Sequence, residues 1–177
     1  MNLMDLLGGS GGASSIDELA GAVGLDSGKA ASVIGALQPA LMRAVKNQAA
    51  NGEGLDSFRR ALESGDHQRY VDNPALLREA ATRDDGNAIL GHLFGSKDVS
   101  RNVAAQAAEQ TGISPDLIKQ ALPLVASLAM GAMSKQSNGG RDLANAGGGL
   151  GSLGALIDAD GDGVGMDDVL GLAKRFF

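Results

Sequence analysis

The sequence predicts an all-α protein: a compact multi-helix domain, a Gly-rich linker and a short C-terminal helix-loop-helix calcium module. Composition and spacing carry that prediction. Aromatic residues make up 3% of the chain, with no Trp, one Tyr and four Phe, and hydrophobic residues make up 44%. Ala, Leu, Val and Met dominate the apolar set, and such side chains pack helix on helix, whereas sheets draw on β-branched and aromatic residues. The apolar residues also recur at helical spacing between capping signals. At 177 residues the chain can bury the core of one domain with an appendage.

Residues 1–14 read as a flexible start, because the run from Gly8 to Ser15 has no side chain able to anchor a core. Ser15 followed by Glu18 has capping-box spacing and predicts a helix from near Ile16, with Leu19, Ala22 and Val23 turned inward. Gly24-Leu25-Asp26-Ser27 ends that helix and caps the next, which carries Val33, Ile34, Leu37, Leu41, Met42 and Val45 and which Pro39 is expected to bend. Leu55, Phe58 and Leu62 mark a small amphipathic helix. Pro74 starts another that buries Leu76, Leu77 and Ala80, and Ile89-Leu90 with Leu93-Phe94 mark one ending at Gly95. Val99, Val103, Ala107 and Ala108 form a stripe that stops at Thr111-Gly112. Ser114, as cap, and Pro115, at the first helical position, open the last long helix. Its apolar stretch from Ala121 to Met133 falls short of the ~20 residues a bilayer demands and reads as a core helix. The Gly-Leu-Asp-Ser and Gly-Ile-Ser-Pro turns echo each other as a weak pseudo-repeat.

A formal net charge of −6 and a pI near 4.8 exclude a general attraction to nucleic acid or anionic lipid. Without Cys there is neither a disulfide nor a thiolate metal site. The N-terminus lacks the basic region and apolar core of a signal peptide, so the expected address is cytoplasmic, with non-classical export as the other route. No nucleophile elbow, Walker loop or His-Glu-x-x-His is present, and neither an enzyme nor a small-molecule substrate is predicted. His92, flanked by Leu90, Leu93 and Phe94, reads as a partly buried side chain at a helix end; His67 reads as a solvated surface residue; Asp84-Asp85 reads as a solvated pair.

The segment from Asp85 through Gly91-His92-Leu93-Phe94-Gly95 to Lys97, followed by Val103, Thr111-Gly112, Leu122-Pro123-Leu124 and Met130-Gly131, resembles the YidB-like bacterial family, domain-of-unknown-function family 937. The resemblance covers roughly residues 15–135. It implies a compact all-helical domain, sometimes followed by a Gly-rich linker and an Asp-rich tail, and it implies no activity, substrate or catalytic residue.

The domain therefore runs over 15–136, the linker over 137–149 and the tail over 150–177. Five aspartates fall in the last twenty residues. In a twelve-residue EF-hand loop, side-chain oxygens come from positions 1, 3 and 5, glycine stands at 6 and a backbone carbonyl comes from 7. Here those positions are Asp158, Asp160, Asp162, Gly163 and Val164. Position 12 is Val169, which has no ligating side chain, so a loop shortened by one residue would close on Asp168, with Asp167 as the other candidate. Alternating carboxylates punctuated by glycine suit a hard cation, and Ca²⁺ is the expected ligand. Val169, Leu170, Leu172, Ala173 and Phe176 would give the exiting helix an apolar face, and Leu150, Leu153, Leu156 and Ile157 the incoming one. Two functions follow: a calcium-responsive module that binds a protein partner or itself, or a structural, self-associating scaffold whose acidic tail binds nothing.

Overall fold

Three glycines in the left-handed backbone region, Gly24, Gly95 and Gly112 at φ +73°, +68° and +70°, divide the chain into helices. Only glycine adopts that conformation without a Cβ penalty, which is why helices so often stop one residue before it. The computed structural model describes residues 12–50 and 52–137. Among them are seven α-helices and one 3-10 helix: α1 Gly12–Val23, α2 Ser27–Ala50, α3 Gly52–Ser64, α4 Arg69–Asp72, the 3-10 helix Pro74–Arg78, α5 Ala80–Phe94, α6 Lys97–Thr111 and α7 Pro115–Gln136. No strand occurs among the described residues, as the composition predicts.

At the first junction Leu25 N–H reaches back to the Ala20 carbonyl (2.9 Å), closing α1, and Asp26 Oδ1 accepts from Lys29 N–H (2.8 Å), opening α2. That hydrogen bond holds the Asp26 carboxyl below its ordinary pKa. α2 then buries Ala30, Val33, Ile34, Leu37, Leu41, Ala44 and Val45, a stripe at three- and four-residue spacing. It runs through Pro39, which stands on its exposed side.

The centre of the bundle is α7. It packs against α1, α2, α3, α4, α5 and α6, and every residue from Ala121 to Ala132 is buried. A helix enclosed by neighbours must be apolar all round, which explains the composition of this segment. At 22 residues, α7 is longer than its apolar run, because Asp116, Lys119, Lys135 and Gln136 extend it at both ends. It is the one helix among the described residues long and apolar enough to cross a membrane, and 78% of its most apolar window lies buried inside the protein. Its closest neighbour is α5, where a Cβ on Gly86 would stand 2.1 Å from the Pro123 carbonyl oxygen. Ser127 Oγ bridges the same crossing, donating to the Thr82 and Pro123 carbonyls (3.2 and 3.1 Å).

Four local expectations are corrected. The chain is already helical at Gly12, the first described residue, so Ser15 lies a turn inside α1, fully buried, and does not cap it. Glu18 pairs instead with Arg78, tying α1 to the 3-10 helix. Ala80 is exposed, as is Val99 at 41%; the buried stripe of α6 is Ala104, Ala107 and Ala108. Ser114 stands at the N-cap of α7, but its side chain makes no capping bond there.

Candidate functional site

Asp158, Asp160, Asp162, Val164, Asp167 and Asp168, the predicted calcium ligands, lie outside the described residues. Among the described residues no group of three or more His, Cys, Asp or Glu is placed to hold a metal ion.

What the fold does build is an apolar groove between α2, α3, α5 and α7. Its geometry starts from a helix-end requirement: the last carbonyls of a helix have no partner within it. Gln48, near the end of α2, donates its side-chain amide to the His92 carbonyl of α5 at 2.7 Å, fixing the ends of α2 and α5 together. α3 then starts so close to α2 that a Cβ on Gly54 would meet the Gln48 carbonyl at 2.4 Å. Between these supports opens a cavity of about 240 Å³ walled by Phe58, Ile89, Leu93 and Met130, with Glu53 and His92 exposed at its edge. A second hollow of about 30 Å³ shares Leu93 and Met130 with it and continues past Leu41, Met42 and Met133 along α7. His92 is thus an exposed side chain at the groove's edge, and its backbone carbonyl, not its imidazole, makes the hydrogen bond.

His67 is corrected more sharply. It is 8% exposed, not solvated, and its Nδ1 is buried without a hydrogen-bond partner. Burial pushes its pKa below the ordinary 6.5; the positive charge of Arg69 acts the same way, while the Asp85 and Asp66 charges and the Ala61 carbonyl oppose it. Its backbone passes so close to α7 that a Cβ on Gly131 would stand 2.5 Å from the His67 carbonyl oxygen. Next to it, Tyr70 is 1% exposed and donates its hydroxyl to Asp85, while Arg69 Nη2 donates to both Tyr70 Oη and Asp85 Oδ2 at 2.8 Å. Burial, and then the Asp85 contact, raise the Tyr70 pKa. Of the expected solvated pair Asp84-Asp85, Asp84 is exposed as expected, whereas Asp85 is engaged by Arg69 and Tyr70. The cluster clamps the one-turn helix α4 onto α5, and Asp72 with Lys135 (2.7 Å) clamps it onto α7.

A cleft of about 500 Å³ on the opposite flank of α5 carries Lys97, Arg101 and Lys119. Arg101 pairs with Asp98 (3.0 Å) and Lys119 with Asp116 (3.3 Å), so two of its three cations are spent locally.

These features define an all-α bundle around one central helix, with an apolar groove, methionine among its walls, between four of its helices. The chain belongs to the family described as bacterial protein of unknown function (DUF937), which it matches over residues 5–136. The match ends where α7 ends and leaves the Asp-rich tail outside it. No curated protein and no solved structure matches the chain.

Proposed function

We propose that this chain is a non-enzymatic interaction module: its helical domain docks a protein segment along the α2–α3–α5–α7 groove, and its tail is ordered by Ca²⁺. The observation that carries the reading is the lining of that groove. All three methionines of the described residues, Met42, Met130 and Met133, contribute to it. Unbranched thioether side chains repack around dissimilar apolar shapes, which suits a docking surface more than a site built for one substrate. A substrate site would also set convergent polar groups among its walls. Of the polar side chains that line the larger cavity, the Gln48 amide is taken up in holding α5, and Glu53, Ser57 and His92 stand exposed.

Support for calcium comes from sequence. Five carboxylates within Asp158–Asp168 repel one another, and a divalent cation removes that repulsion, so ion binding and ordering of the tail are coupled. Asp158, Asp160, Asp162 and Asp168 would supply carboxylate oxygens and Val164 its carbonyl. Calorimetric titration of the full chain with Ca²⁺ tests this. Wild type is expected to release or absorb heat to saturation, and Asp160→Ala to bind at least about tenfold more weakly, the equivalent of one lost charged ligand at ~1.4 kcal/mol. No heat from either protein leaves a self-associating scaffold with an inert acidic tail.

A further inference from the structure

We infer that the occupant of the groove is the chain's own segment Leu150-Gly151-Ser152-Leu153-Gly154-Ala155-Leu156-Ile157, folded back from the end of α7; this rests on the docking reading of the groove and names what docks. Three observations converge on that segment. The first is position. Met133 lines the smaller hollow that adjoins the main cavity, and α7 ends at Gln136, one turn further on, so the chain leaves the described fold about 6 Å along the helix axis from that end of the groove. From Ser137 to Leu150 there are thirteen peptide units, which reach up to ~45 Å when extended. A short Gly-rich tether of this kind gives an effective concentration on the order of millimolar, so even a weak contact is populated within one chain.

The second is pattern. Leu150, Leu153, Leu156 and Ile157 stand at i, i+3, i+6 and i+7, which on a helix places all four within one 120° arc. A helix this short cannot bury that arc against itself and needs an apolar partner, for which the groove competes with the apolar face expected of Val169, Leu170, Leu172, Ala173 and Phe176. The third is charge. The segment has no ionisable side chain, matching walls built from Leu41, Met42, Phe58, Leu93, Met130 and Met133, so docking strands no charge in an apolar setting. The apolar residues that follow the aspartates are a poorer fit, because Lys174 and Arg175 interrupt them.

The absence of cysteine and the presence of six methionines give a direct test on the full chain. A nitroxide is attached at Ser152→Cys and the methionine methyl carbons are labelled with ¹³C, in buffers with and without Ca²⁺ so that docking is read apart from ion binding. The expected result is selective broadening of Met42, Met130 and Met133 against Met1 and Met4. It should be independent of protein concentration and abolished by Leu156→Asp. Broadening that persists in Leu156→Asp overturns the proposal. So does broadening that appears when nitroxide-bearing, unlabelled chains are mixed with ¹³C chains, since that assigns the groove to a second copy. No broadening at all also overturns it. A titration with anilinonaphthalene sulfonate then decides the underlying reading: shifts of the three methyl signals keep the groove as a docking surface for a foreign segment, and unmoved signals remove the docking reading as well.

Discussion

At the scale of single residues, the most consequential side chain is His67, whose imidazole is buried against Gly65 with one ring nitrogen unpartnered. Its folded pKa is depressed, chiefly by burial. The unfolded chain therefore takes up a proton that the folded chain refuses once the pH drops below the ordinary value of 6.5. The contribution to stability is complete above that value and is lost as the pH falls through the folded pKa. The groups that face the ring divide: Asp85 and Asp66 favour the imidazolium, Arg69 opposes it, and desolvation outweighs them. Urea midpoints measured from pH 7.5 down to pH 5 are expected to fall for the wild type. His67→Gln, which cannot titrate, should lack that segment of the slope; parallel curves for the two proteins would refute the assignment. The polar residues of Gly65-Asp66-His67-Gln68-Arg69-Tyr70 mask this burial, because they make the stretch look solvated. The signal that existed was the pair Gly65 and Gly131, each of which would carry its Cβ into His67. Only the fold brings the second of these to it.

At the scale of elements, helix ends were legible and helix faces less so. Gly24, Gly95 and Gly112 were marked in the sequence by what glycine alone does at a left-handed terminus, and Asp26 by its capping chemistry. Periodicity places an apolar arc but not its edges. Val99 lies one step outside the arc that α6 buries, while Ala104, unremarkable in sequence, is fully enclosed. Ser15 failed as a cap because helix α1 is already formed at the Gly and Ala residues that precede it. Two glycines on α5 show what sequence leaves undecided about close approach. Gly86 meets the Pro123 backbone, so Gly86→Ala must push α5 off α7 and is expected to cost about 1–3 kcal/mol. Gly91 has nothing within 4 Å of a Cβ, and Gly91→Ala should instead stabilise by up to ~1 kcal/mol through helix propensity alone. Opposite signs in urea unfolding of the two variants check the crossing; equal signs would contradict it.

At the scale of the whole molecule, the design is a hub: α7 touches six other helices, and its enclosed residues belong to one contiguous apolar cluster. The hub was readable as a core helix from its unbroken apolar run. Its partners were not, since a helix apolar on every side carries no pattern saying which neighbour covers which face. The groove has no signature in the sequence for the same reason, as its walls come from four elements and each contributes residues that read as ordinary core. A hub predicts how the domain fails. The peripheral helices pair with one another only in part, so weakening α7 should weaken all of them together and preserve a single transition. Leu128 is fully enclosed, and Leu128→Ala is expected to cost about 2–5 kcal/mol from lost burial and the cavity left behind. Val99→Ala on the exposed edge of α6 should stay within about 0.5 kcal/mol of wild type. In both variants the dependence on denaturant should keep the wild-type slope, because the surface exposed on unfolding is unchanged. A split transition in Leu128→Ala, with α1 and α2 outlasting the rest, would instead mean that the first helical hairpin and the remainder of the bundle are separate cooperative units and that α7 joins them without organising them.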